Sequence, residues 1–327
     1  MKHGILLFAL MSVVLVSCGN LSVQNDSKGK EIDADIVIKM INSGEPVYLE
    51  DKIITGDLDL TKLKNRSHEN KASIRAYIDE PLSFINCTFN GKLIAAGFDA
   101  EKKYIKTSFA KSVVFTGCVF NEEVILKESV FRGLTDFSKC IFSKKADFSG
   151  SYFDCRDVYF SETSFNGESN FNDSKFTGNV SYFKSFFKET SLFQQITFMG
   201  TVNVASATFS AYTDFSASSF YGLLNANYCK SGKKLLLNYC RFFGKADFIQ
   251  AEFSGNFEIK EAVFYFQARF KESIFSGKAE FVKCLFIDSA PDFTGVKKNE
   301  NTEIVFTGNM QSSHNELDTI EISDVKE

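Results

Sequence analysis

Phenylalanine stands at 270, 275, 281 and 286, in steps of five, six and five, with mostly polar residues between. Followed backward, the cadence runs through Phe264, Ile259, Phe253, Phe248, Phe242 and Leu237, and resumes from Phe220 to Phe160. After one slipped residue near Cys155 it continues from Phe153 to Phe115. Two residues before one Phe of each unit stands a small residue, among them Cys118, Ser129, Cys140, Ser151, Ser174, Ala207 and Cys284. A helix of period 3.6 would spread positions five and six apart over different faces, whereas short strands joined by corners keep them all pointing inward. Two eleven-residue units therefore predict a square coil of about 22 residues. Stacked at the spacing of hydrogen-bonded strands, Phe84 to Phe286 would form roughly nine coils rising about 43 Å. Gly117, Gly150, Gly178, Gly222, Gly244, Gly255 and Gly277 fall near the corners, where positive φ is expected.

The rest of the chain divides around this repeat. Residues 1–17 read as a signal peptide, 18–30 as a lipidated flexible tether, 31–80 as an N-terminal cap with the first strands, 81–310 as the solenoid and 311–327 as a disordered tail. Asp33 suits the cap of a helix from Ala34 to Ser43, with Ile36, Ile38, Met40 and Ile41 as its apolar face and Gly44 at its stop. Such a helix would close one end of the stack. Thr61 to Lys71 reads as an exposed loop, and the repeat starts irregularly through Phe84, Phe89, Phe98, Tyr104 and Phe109. The three prolines, Pro46, Pro81 and Pro291, all lie outside Phe84–Phe286, as interior strands require.

The segment Ala146-Asp147-Phe148-Ser149-Gly150-Ser151-Tyr152-Phe153, with Ala246-Asp247-Phe248 and Thr213-Asp214-Phe215, resembles the pentapeptide-repeat family, whose unit has a small residue two before a central Leu or Phe. The resemblance implies an all-β fold, a right-handed quadrilateral parallel β-helix. A sixth residue at alternate corners departs from the family pattern. The family spans many biological roles, so the resemblance carries the fold and not the function.

The start of the chain bears on location. Lys2 and His3 precede an apolar stretch from Ile5 to Val16, which suits a secretory signal and falls short of a bilayer span. Leu15-Val16-Ser17-Cys18 resembles the bacterial lipobox, which implies lipidation of Cys18 and a membrane as the first partner. Gly19 follows, where an Asp would imply retention at the inner membrane, so the outer membrane of the cell envelope is the expected site. The formal charge of -4 lacks the basic surplus of a nucleic-acid binder and the strong acidity of a duplex mimic.

Candidate chemistry is sparse. Of the three histidines, His3 lies in the signal, His68 in a predicted loop and His314 in the tail, which leaves no base for a nucleophile on the rigid body. Cys87, Cys118, Cys140, Cys229, Cys240 and Cys284 occupy the inward small position and read as buried thiols, with Cys155 at the slip. No metal spacing or cofactor motif is present. Asp136, Asp147, Asp157, Asp214 and Asp247 read as an outward, solvated row. One outward column stands apart: Met199, Tyr221, Phe243, Tyr265 and Ile287 recur every 22 residues just after an inward Phe. They form a candidate binding face, and Ser231-Gly232-Lys233-Lys234 beside them reads as a protruding loop. The expectation is a non-catalytic, lipid-anchored solenoid for protein contact or assembly, with a carbohydrate-binding or carbohydrate-modifying surface protein as the alternative.

Overall fold

The computed structural model describes residues 30–300 and 302–311. Within them the chain is a four-sided parallel β-solenoid of about 13 turns. Each coil visits the sides in a fixed order, shown by Val113–Val114 on side one, Val119–Phe120 on side two, Val124–Ile125 on side three and Val130–Phe131 on side four. The coil above repeats them in register, with Val119 opposite Ile141 and Val130 opposite Tyr152. The stacking already begins below Phe84, where Val47–Glu50, Ile53–Thr55 and Leu58–Asp59 lie under Leu82–Ile85, Thr88–Phe89 and Leu93–Ile94.

Two-residue strands hold because their side chains alternate, one inward and one outward. On side four, Phe109, Phe131, Phe153, Phe176, Phe198, Phe220, Phe242, Phe264 and Phe286 form one unbroken stack of rings, neighbours 4.4 to 5.3 Å apart. The small inward position does more than leave room for these rings. Its hydroxyls donate to a corner carbonyl of the coil below, Ser151 to Leu126 at 2.8 Å and Ser174 to Phe148 at 2.8 Å. That donation satisfies a backbone oxygen facing an otherwise apolar interior.

The helix runs from Ala34 to Asn42, and the Asp33 carboxylate caps it by accepting from the Asp35 N–H at 2.7 Å. Its buried face is Ala34, Val37, Ile38 and Ile41, while Ile36, expected inside, is exposed. The helix joins the same core as the lowest coils and closes that end.

Four expectations need correction. Thr61 to Lys71 is only partly loop, because Arg66–His68 forms a strand antiparallel to Ser73–Ile78. Phe98 and Tyr104 do not belong to the inward stack. Ala96–Phe98 pairs antiparallel with the start of Tyr104–Phe109, so the two rings meet outside the rod, 5.1 Å apart, and Phe98 is 72% exposed. Ser231-Gly232-Lys233-Lys234 does not protrude. Lys230–Ser231 sits in register between Phe209 and Phe253, and Lys234–Leu236 continues side three.

The fourth correction concerns glycine. Of the seven corner glycines only Gly117 and Gly150 have positive φ. At most equivalent corners that conformation is carried by other residues, such as Glu128, Lys139, Asp173 and Tyr239. The remaining glycines occupy the other type of corner, where successive coils approach closely. A β-carbon on Gly222 would lie 2.4 Å from the Gly200 carbonyl oxygen, and one on Gly244 would lie 2.1 Å from that of Gly222.

One coil is thin. At its level the ring positions hold Ala226, Ser231 and Leu237, and only Phe242 keeps its ring. Leu224 and Leu235 partly refill the space from strand positions that carry Thr135, Ala146 or Ser169 in other coils. An apolar cavity of about 20 Å³ remains between Phe209, Phe215 and Phe248.

Candidate functional site

The outward column is built by the same ladder that builds the core. Each member follows an inward ring of side four, and its N–H is held by the coil below: Tyr221 to Phe198 at 2.8 Å, Phe243 to Phe220 at 2.8 Å, Tyr265 to Phe242 at 2.9 Å. Alternation then turns these side chains out, and the parallel register sets one above another. Tyr221 and Phe243 stack at 4.6 Å with planes 12° apart, and Phe243 and Tyr265 at 4.6 Å and 19°. Met199 continues the row below, 44% exposed, and Ile287 continues it above, half-buried. The faces of the Phe243 ring are covered by its neighbours, so the row presents a ridge of ring edges. Each aromatic pair adds about 0.5–1.5 kcal/mol beyond its buried area. The ridge thus contributes to the rod as well as forming a surface.

Beside the ridge runs bare backbone. The residue after each member is Gly200 after Met199, Gly222 after Tyr221 and Gly244 after Phe243, and Gly178 holds the same place one coil lower. The row of glycines ends at Phe266, which follows Tyr265 and is 49% exposed. Arg241 and Lys245 flank Phe243 and are exposed to solvent.

The other sequence candidates are placed as follows. Cys18 lies outside the described residues. Asp136 and Asp147 sit at outward strand positions, but each accepts the backbone N–H two residues on, Ser138 at 2.7 Å and Ser149 at 3.0 Å, and so shapes a corner. Asp214 and Asp247 are buried, contrary to the solvated row expected. Asp214 accepts from the Ser216 N–H, the Gln194 amide and the Tyr212 hydroxyl, whose pKa is pushed up to about 12 by burial and by that hydrogen bond. Asp247 is held by the Arg269 guanidinium at 2.6 Å, and Asp157 accepts from Asn179 at 3.0 Å. These contacts make the row a set of corner and rung supports. The signal for it was Asp immediately before the inward ring at 136, 147, 214 and 247, whereas Asp157 precedes the inward Val158.

The seven described cysteines are free thiols. Burial pushes Cys229 up to about 12 and Cys284 to about 11, which leaves them protonated and poor nucleophiles. Cys118 and Cys140 instead bond backbone, to Phe84 at 3.2 Å and Phe115 at 2.6 Å. Among the described residues no group of three His, Cys, Asp or Glu is arranged to hold a metal ion. No described helix is long and apolar enough to cross a membrane.

A second surface feature escaped sequence reasoning. The two antiparallel hairpins enclose a polar groove of about 410 Å³ lined by Lys64, Arg66, His68, Asp99, Glu101 and Lys103. His68 is thus on an exposed strand with charges of both signs around it, and nothing in the eleven-residue pattern marks it.

The family described as pentapeptide repeats (9 copies) matches residues 115–156. No curated protein and no solved structure matches the chain. The matched stretch lies where the cadence is most regular, and the same in-register coils extend below and above it. The chain carries pentapeptide repeats over residues 115–156, within a four-sided parallel β-solenoid.

Proposed function

We propose that this protein is a non-catalytic, lipid-anchored solenoid of the bacterial envelope whose ridge from Met199 to Ile287 makes contact with protein. The anchor is Cys18, placed behind the apolar stretch from Ile5 to Val16, and the membrane is the outer one where a cell has two. The observation that carries the reading is the continuous stack of Tyr221, Phe243 and Tyr265 on the outside of a rod whose other outward positions are mostly polar. Contiguous exposed apolar surface usually marks an interaction site, and aromatic anchors dominate such interfaces. The interior is filled with side chains and holds no substrate-sized cavity among the described residues, consistent with a structural repeat protein. Rigidity adds to the case, since a preformed face loses little conformational freedom on contact.

The carbohydrate reading is weaker because a sugar stacks on a free ring face. Here the faces of Phe243 are occupied, and Tyr221 and Tyr265 each have one face against it.

Crosslinking in cells tests the proposal. Phe243→Asp should remove a protein that the wild type captures, while the purified variant melts within a few degrees of wild type. Cys18→Ala should move the protein from the membrane to the soluble fraction. Unchanged capture with an intact fold would count against the ridge, and unfolding would mean that Phe243 faces inward.

A further inference from the structure

We infer that the groove between the two antiparallel hairpins binds a phosphate ester that also carries an ammonium group, the chemistry of phosphoethanolamine. This goes beyond the ridge and does not rest on it.

The hairpins build one small sheet. Arg66–His68 pairs antiparallel with Ser73–Ile78, which runs parallel to Tyr104–Phe109, and Ala96–Phe98 pairs antiparallel with the start of that last strand. Tyr104 lies opposite Ser73, so the turns that precede these two residues project at the same edge. Alternation sets Arg66 and His68 on one face of their strand, and Lys64, two residues earlier, lines the same groove. Asp99 and Glu101, in the second turn, line it from the other side, with Lys103 beside them.

The two walls do not neutralise each other. Asp99 holds its own turn through Oδ1, which accepts from the Glu101 and Lys103 N–H groups, both at 2.9 Å. Glu101 pairs through Oε2 with Lys103 at 2.6 Å. Among the described residues neither Lys64 nor Arg66 has a carboxylate partner. Two strands intervene between the walls, whose backbones therefore stand about 10–14 Å apart at ordinary strand spacing. Opposite charges thus share a groove of about 410 Å³ without meeting. Asp99 Oδ2 and Glu101 Oε1 are open acceptors on one side, and the guanidinium and ammonium of Arg66 and Lys64 are open donors on the other.

A ligand that fits carries the reverse pair, an anion toward Lys64, Arg66 and His68 and a cation toward Asp99 and Glu101. Phosphate suits the first wall better than carboxylate does, because it offers more charge and a third oxygen beyond the two that a guanidinium takes. A primary ammonium suits the second, since it donates to two carboxylate oxygens. The place fits a headgroup as well. Arg66–His68 is the lowest strand of its sheet and Glu31–Asp33 the lowest of another, so the groove lies at the end of the rod where the described residues begin. Phosphoethanolamine occurs both as a lipid headgroup and as a soluble ester, and the test separates the two.

The test uses the chain from Gly19 onward, which keeps every described residue and lacks Cys18. In calorimetric titration at low salt, O-phosphoethanolamine should bind at least ten-fold more tightly than inorganic phosphate, ethanolamine or β-alanine, its carboxylate counterpart. Lys64→Ala with Arg66→Ala, both at exposed positions, should abolish the binding without lowering the melting point by more than a few degrees. Glu101→Gln should reduce the affinity to that of phosphate, and Asp99 is left intact because it holds the turn. Phe243→Asp should change nothing, which separates this site from the ridge. Cosedimentation with vesicles of phosphatidylethanolamine and phosphatidylcholine, but not of phosphatidylcholine alone, assigns the site to a lipid headgroup. Binding of the free ester without cosedimentation assigns it to a soluble one. Phosphate bound as tightly as phosphoethanolamine would overturn the inference, as would equal binding of β-alanine or no binding of any probe.

Discussion

Ser231 shows what a single position contributes. It takes the place that Phe209 below and Phe253 above give to a ring, and its hydroxyl is buried without a hydrogen-bond partner. An unmet buried hydroxyl costs about 1–3 kcal/mol. Ser231→Ala should therefore raise the unfolding free energy by about 1 kcal/mol in urea titration. The same change at Ser218, whose hydroxyl donates to the Phe193 carbonyl at 2.7 Å, should lower it. Identical outcomes at the two positions would refute the distinction. Sequence alone marks Ser218 as small and inward, and the backbone acceptor becomes visible only when the corner below is in place. Ser231 was misread for a related reason: a polar run interrupting a ring cadence looks like a loop, yet ladder hydrogen bonds in neighbouring coils hold it in register.

At the scale of strands and corners, the alternating five and six steps were legible because they are the geometry. One corner takes a residue of positive φ and the other brings two coils into backbone contact. Glycine serves the second corner more often, which the residue type alone does not reveal, since glycine permits both. The hairpins near Phe98 were illegible for another reason. Antiparallel additions break the eleven-residue period, and no periodic signal replaces it. Charge also works within and between coils. Lys278 holds Glu280 below its ordinary value by hydrogen bond and charge, and burial at Glu258 is outweighed by Asn238, Lys260 and Lys234, so its pKa is lowered too. Asp292 is lowered by Thr294. A carboxyl with a folded pKa below its unfolded one stabilises fully above the ordinary range, and that contribution is lost as pH falls through the folded value. The thermal midpoint should hold from neutral pH to about 5 and fall below about 4. Glu258→Gln with Glu280→Gln should flatten part of that fall, and an unaltered profile would show that these carboxylates do not govern it.

The whole molecule is close to a one-dimensional array in which each coil touches its neighbours and little else. Stability in such an array is a sum over units and their interfaces, so it can vary along the axis. The four-sided fold and the inward set from Phe115 to Phe220 were readable because repetition multiplies a weak local signal many times. The outward ridge was readable for the same reason, through its spacing of 22. The polar groove and the paired hairpins occur once and had no such amplification. The coil holding Ala226, Ser231 and Leu237 keeps one ring of four and borders the apolar cavity, so its interfaces are poorer than those of the all-Phe coils. Amide exchange there should be faster than in the coils around Phe153 and Phe176, and equal protection along the rod would contradict this. If one end is tied down and the other is tugged, rupture would start at that seam. The helix-capped lower coils would stay behind as a closed stub, and the upper section would come away with the rings of Phe248 and Phe253 laid open.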